Sequence, residues 1–109
     1  MGLFSSNGSI EREFGSSPEQ VGAAIESVSR DQGHNLGTIS PDRTRFELTT
    51  KRSAFSWGTA IALTLAPTQT GTRVVADFDT PAGAQKALLD GRKNTKAAEA
   101  FIEQLASAL

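Results

Sequence analysis

The sequence predicts an α+β domain: an antiparallel sheet of about five strands in the order β-α-β-β-β-β-α, with both helices on one face. Three observations predict it. The run Ser17-Pro18-Glu19-Gln20 opens a helix and leads into an apolar stripe of helical period. Ser56 to Ala66 alternates large and small side chains without interruption, the period of a strand. A second amphipathic stripe closes the chain between Asn94 and Ala108.

Ile10-Glu11-Arg12-Glu13-Phe14 alternates, with Ile10 and Phe14 on one face, and stops at Gly15-Ser16-Ser17; it reads as a short strand. In the helix that follows, Ser17 is placed to cap, Pro18 suits the first turn, and Gln20 can return a capping-box bond. Val21, Ala24, Ile25 and Val28 share the inward stripe, and Gly33 offers a left-handed end. Leu36 and Ile39 have opposite parity, so a bulge at Gly37 is needed to turn both inward. Pro41-Asp42-Arg43 supplies a turn into Thr44 to Lys51, with Phe46 and Leu48 inward.

The central strand, Ser56 to Ala66, puts Trp57, Thr59, Ile61, Leu63 and Leu65 on the core face and Gly58, Ala60, Ala62, Thr64 and Ala66 on the other. Pro67 to Gly71 is a loop of hairpin length, and Thr72, Val74, Ala76 and Phe78 are the inward residues of the next strand. Pro81 to Ala84 breaks it. The last helix presents Ala98, Phe101, Ile102, Leu105 and Leu109 to the sheet.

Composition narrows the function classes. The 109 residues, 38% hydrophobic and 21% charged, fit one globular domain, expected over residues 9–109 behind a flexible segment at 1–8. Eleven basic against twelve acidic residues leave a net charge of -1, which lacks the electrostatic footprint of a nucleic-acid binder. With no cysteine there is neither a disulfide, a thiolate metal site nor a cysteine nucleophile. The longest apolar run, Ala60 to Ala66, is far too short to cross a bilayer, and a cytoplasmic location is expected. Met1-Gly2-Leu3-Phe4-Ser5-Ser6 matches an N-myristoylation pattern at Gly2, or else is a frayed polar lead-in.

The element order, with Ser56-Trp57-Gly58, Gly71-Thr72-Arg73-Val74 and Asp90-Gly91-Arg92-Lys93-Asn94, resembles a group of small uncharacterised bacterial domains over about residues 9 to 109. The same order resembles the fold of a TATA-box-binding-protein repeat and, more loosely, that of helix-grip lipid-transfer proteins. The resemblance implies a fold and carries no catalytic residue across.

The chemistry-bearing residues are sparse. His34, the single histidine, follows Gly33 at a helix end, where it can complement the helix dipole. Asp77 and Asp79 emerge on one face of a strand and could hold a hard cation, but two carboxylates without a third ligand read as solvated groups pairing with Arg45, Arg73 or Lys51. Asp90 to Asn94 can seat an anion or simply cap a helix. A phosphate loop and a Gly-x-Ser-x-Gly elbow are both missing. The expectation is a protein that is not an enzyme and carries no cofactor or metal.

Function is therefore expected on the second face of the sheet. Ala60, Ala62, Thr64 and Val75, rimmed by Arg45, Arg73, Asp77 and Asp79, form a smooth surface suited to a protein partner or a homodimer. The alternative is a small apolar ligand held between the sheet and the last helix, lined by Trp57, Phe46, Phe78 and Phe101.

Overall fold

The computed structural model describes residues 7–51, 58–81 and 90–109, the side chains at 90 and 91 excepted. Its elements run β1 (Gly8–Phe14), α1 (Pro18–Gln32), β2 (Asn35–Ile39), β3 (Arg45–Thr49), β4 (Ala60–Pro67), β5 (Thr72–Asp79) and α2 (Asp90–Ala108). The five strands form one antiparallel sheet in the order β1-β5-β4-β3-β2. The expected fold class is the observed one.

The start of α1 follows from Ser17. Its extended backbone lets the hydroxyl accept from the Gln20 N–H at 3.2 Å while Gln20 Oε1 accepts from the Ser17 N–H at 3.0 Å. At the other end Gly33 takes φ 76°, a left-handed conformation, and its N–H and that of His34 donate to the carbonyls of Arg30 and Ser29. The bulge in β2 falls between Leu36 and Ile39, where the register against β3 shifts, and both side chains pack on the core as the parity argument required.

Between β2 and β3, the Asp42 carboxylate accepts from the hydroxyls of Ser40 and Thr44 at 2.7 and 2.8 Å and from the Thr44 N–H. This web holds Arg43 at φ 58°, a left-handed position with no glycine in it. The guanidinium of Arg43 then lies over the Phe46 ring, 5.4 Å from its centroid, and pairs with Glu26 of α1.

Both helices cover one face. Phe46, Leu48, Ile61, Leu63, Leu65, Val74, Ala76 and Phe78 from the sheet meet Val21, Ile25 and Val28 of α1 and Ala98, Phe101, Ile102 and Leu105 of α2 in one buried cluster. α1 packs over β2, β3 and β4, and α2 over β1 and β5. Two details of α2 differ from expectation. It begins at Asp90, so Arg92, Lys93 and Asn94 lie within the helix rather than in a turn before it. Leu109 follows the last helical residue and is exposed, because the chain has left the inward stripe there. Among the described residues, no helix is long and apolar enough to cross a membrane.

Candidate functional site

Strand pairing fixes the open face as a grid. Asp79, Ala60 and Thr49 lie side by side across β5, β4 and β3, then Asp77, Ala62 and Glu47, then Val75, Thr64 and Arg45, with Arg73 opposite Ala66. The structure thus brings Ala60, Ala62, Thr64, Val75, Arg45, Arg73, Asp77 and Asp79 onto one surface. A groove of about 1040 Å³ runs over the Ala60 and Ala62 end, walled by Glu47, Asp77 and Asp79 and reaching Asn7, Gly8 and Ser9 at the start of β1 and Gly37 and Thr38 on β2.

Charges on this face pair differently from the sequence expectation. Arg45 engages Glu47 at 3.1 Å and Arg73 engages Glu11 at 3.0 Å, rather than Asp77 or Asp79. All four partners are about half exposed, so each pair contributes little, ~0 to 1 kcal/mol. Asp79 Oδ1 accepts from the Thr80 N–H at 2.7 Å. No group of three potential metal-ligating side chains occurs among the described residues.

The more unusual chemistry lies under α2. Thr50, Thr59 and Thr80 stand just past the end of β3, just before β4 and just past β5, which places all three at the same end of the sheet. Thr59 and Thr80 meet at Asn94, which is 0% exposed, and Thr50 joins them through Thr59; Thr59, Thr80 and Thr50 are 1%, 6% and 8% exposed. The Thr59 hydroxyl donates to Asn94 Oδ1 at 2.7 Å, and Asn94 Nδ2 donates to Thr80 Oγ1 at 3.2 Å. Thr59 and Thr50 are joined twice more, through the Thr59 N–H on Thr50 Oγ1 and the Thr50 N–H on the Thr59 carbonyl. Gly58 is required here: its φ is 89°, and a Cβ would overlap the Thr50 carbonyl oxygen. That gives the glycine of Ser56-Trp57-Gly58 a physical role.

Of the aromatic residues expected to line a ligand, Phe46 and Phe101 are enclosed in the core, and Phe78 is buried while also bordering the open-face groove. Trp57 lies outside the described residues, as does Phe55. His34 lies on the helix side, its ring 5.8 Å from that of Phe101, so it does not share a cleft with Asp77 and Asp79. Its Nδ1 accepts from the Lys51 N–H at 2.9 Å. Burial lowers the imidazole pKa, and the Lys51 charge lowers it further; the neighbouring Gln104 acts in the opposite direction. Among the described residues, no donor lies at hydrogen-bond distance of the buried Gln104 Oε1.

No protein-family model and no curated protein matches the sequence. Solved structures do match. A crystal structure of a Mesorhizobium loti protein superposes with TM-score 0.63 at 16% identity, covering 94% of this chain and 95% of that one. A Nitrosomonas europaea protein follows with TM-score 0.61 at 17% identity, covering 94% and 93%. The fold is helix-grip-like. A further match is a di-domain aromatase/cyclase from the steffimycin biosynthetic pathway, TM-score 0.57 at 12% identity, covering 97% of this chain and 51% of that one.

That match corrects the expectation of a protein that is not an enzyme. The fold serves an aromatase/cyclase, so the lack of a nucleophile, an acid and a base in sequence is no ground for excluding catalysis. The matches give no support to the TATA-box-binding-protein analogy, to the short bacterial motifs, or to a protein partner or dimer. Sequence reasoning overlooked Asn94 as a buried residue. The signal was present, since Asn94, Ala98, Phe101 and Leu105 share one helical stripe.

Proposed function

We propose that this protein holds a small, largely apolar molecule between its sheet and α2, at the end where Thr50, Thr59, Thr80 and Asn94 meet. The observation that carries the reading is that buried, hydrogen-bonded cluster in an otherwise apolar interface. Packing alone would be served by aliphatic side chains, because a buried polar group stabilises nothing until every partner is in place. In a ligand site the same groups anchor the polar end of a guest, while Phe46, Phe78 and Phe101 line its apolar body. Phe46 and Phe101 are enclosed here, so entry requires α2 to lift from the sheet at its N-terminal end. The aromatase/cyclase that shares the fold supports a ligand-handling role.

The open face supports a symmetric dimer less well. Glu47, Asp77 and Asp79 wall its groove, and a two-fold contact there would bring carboxylates of two copies together. The test is binding of anilinonaphthalene sulfonate, followed by fluorescence, alongside native mass spectrometry for a co-purified ligand. Saturable binding that weakens in Thr59→Val and survives in Ala62→Arg is expected. Binding abolished by Ala62→Arg and indifferent to Thr59→Val would place the ligand on the open face and overturn the proposal.

A further inference from the structure

His34 joins elements that are distant in sequence. It follows the left-handed Gly33 at the end of α1, it accepts the backbone N–H of Lys51 just past β3, and its ring rests near Phe101 of α2 with Gln104 beside it. The Lys51 side chain passes over Gly33, with its Cδ 3.8 Å from where a Cβ would stand. The decisive detail is the direction of the 2.9 Å bond, in which a ring nitrogen accepts from a backbone donor. An imidazole does this only while that nitrogen carries no proton; once protonated, both ring nitrogens are donors, and two N–H groups face each other.

We infer that His34 is a proton-operated latch: neutral, it fastens the end of β3 and the face of α2 to the C-terminus of α1, and protonated it lets them go. The charged groups nearest in sequence to this contact are Arg30 and Asp31 in the last turn of α1, Lys51 past β3, and Glu99 and Glu103 of α2, the latter engaged by Arg12 at 3.0 Å; β2 has no charged residue. Of these, the Lys51 charge is the one that acts on the ring, and it opposes protonation as burial does. The folded-state pKa lies below the unfolded value of about 6.5, so the unfolded or unlatched chain binds the proton more tightly. The stabilisation is complete above about pH 6.5 and is lost as pH falls through the folded-state value. Because the latch bears on Phe101, its release loosens α2; that this opens a binding site rests on the function proposed above.

The experiment compares wild type with His34→Asn and His34→Ala by amide exchange, as protection factors, between about pH 7.5 and pH 5.5. Asparagine keeps an oxygen acceptor near the position of Nδ1 and does not titrate. Wild type should lose protection at Lys51 and along α2 as pH falls from about 6.5 toward the folded-state value, by up to about tenfold per pH unit. His34→Asn should hold its protection across the range, and His34→Ala should lack it at both ends. Equal pH dependence in wild type and His34→Asn would overturn the latch, even if His34→Ala fails to fold. Dye binding measured in parallel separates the two ideas: pH-dependent exchange without a change in binding keeps the latch and counts against the sheet–α2 site.

Discussion

Replacing Asn94 with alanine removes the side chain through which Thr59 and Thr80, beside the ends of β4 and β5, are hydrogen-bonded to α2. Two hydrogen bonds go, from Thr59 Oγ1 at 2.7 Å and to Thr80 Oγ1 at 3.2 Å. The Thr59 hydroxyl is left buried without its acceptor, which costs about 1 to 3 kcal/mol. Thr80, with further interactions, loses less. The departed amide adds a void in a site that is 0% exposed, bringing the total to about 2 to 4 kcal/mol. With unfolding entropy scaling with length, each kcal/mol lowers Tm by about 4 °C in a domain of this size, so a fall of roughly 8 to 16 °C is expected by calorimetry. A double-mutant cycle with Thr59→Val should show coupling of about 1 kcal/mol, since valine keeps the shape and deletes the donor. A Tm within about 2 °C of wild type, or strictly additive variants, would refute the view that the cluster is a connected network.

Gly71→Ala should destabilise severely, by more than about 3 kcal/mol, because the new Cβ would overlap the Phe14 carbonyl oxygen where β1 ends against the β4–β5 turn; urea denaturation would measure it. Leu63→Ala, at a fully buried position, should cost about 2 to 5 kcal/mol by the same assay. Ala62→Arg sets a cation between Glu47 and Asp77 on the open face, so stability should stay within about 0.5 kcal/mol of wild type. The Asp42 carboxyl titrates below its ordinary range because the Ser40 hydroxyl, and after it Thr44, bond its charged form. Its contribution is present above the unfolded pKa and is lost as pH falls through the folded one. Carboxyl NMR titration should show Ser40→Ala moving it back upward.

Local rules were enough for much of the fold. Ser17 and Gln20 cap α1 by side chain–backbone bonds three residues apart, and Gly33 ends it through its own backbone freedom, so neither depends on the rest of the chain. The bulge in β2 was legible because Leu36 and Ile39 cannot both face a core in a regular strand. The open face was legible for the same reason: alternation along β4 and β5 assigns Ala60, Ala62, Asp77 and Asp79 to one side.

What the sequence by itself determined, then, is the α+β element order and the two helical stripes. Tertiary structure decided which polar groups meet. Thr59 and Asn94 are 35 residues apart, and Lys51 and His34 are 17 apart. Nothing in periodicity or capping couples such pairs, since local patterns fix only which way a side chain points from its own element. Partners across the fold are set when the helices settle on the sheet. That packing turned Asn94 from part of a helix lead-in into the buried centre of a polar cluster, and it turned His34 from a helix-dipole partner into an acceptor for the Lys51 N–H just past β3.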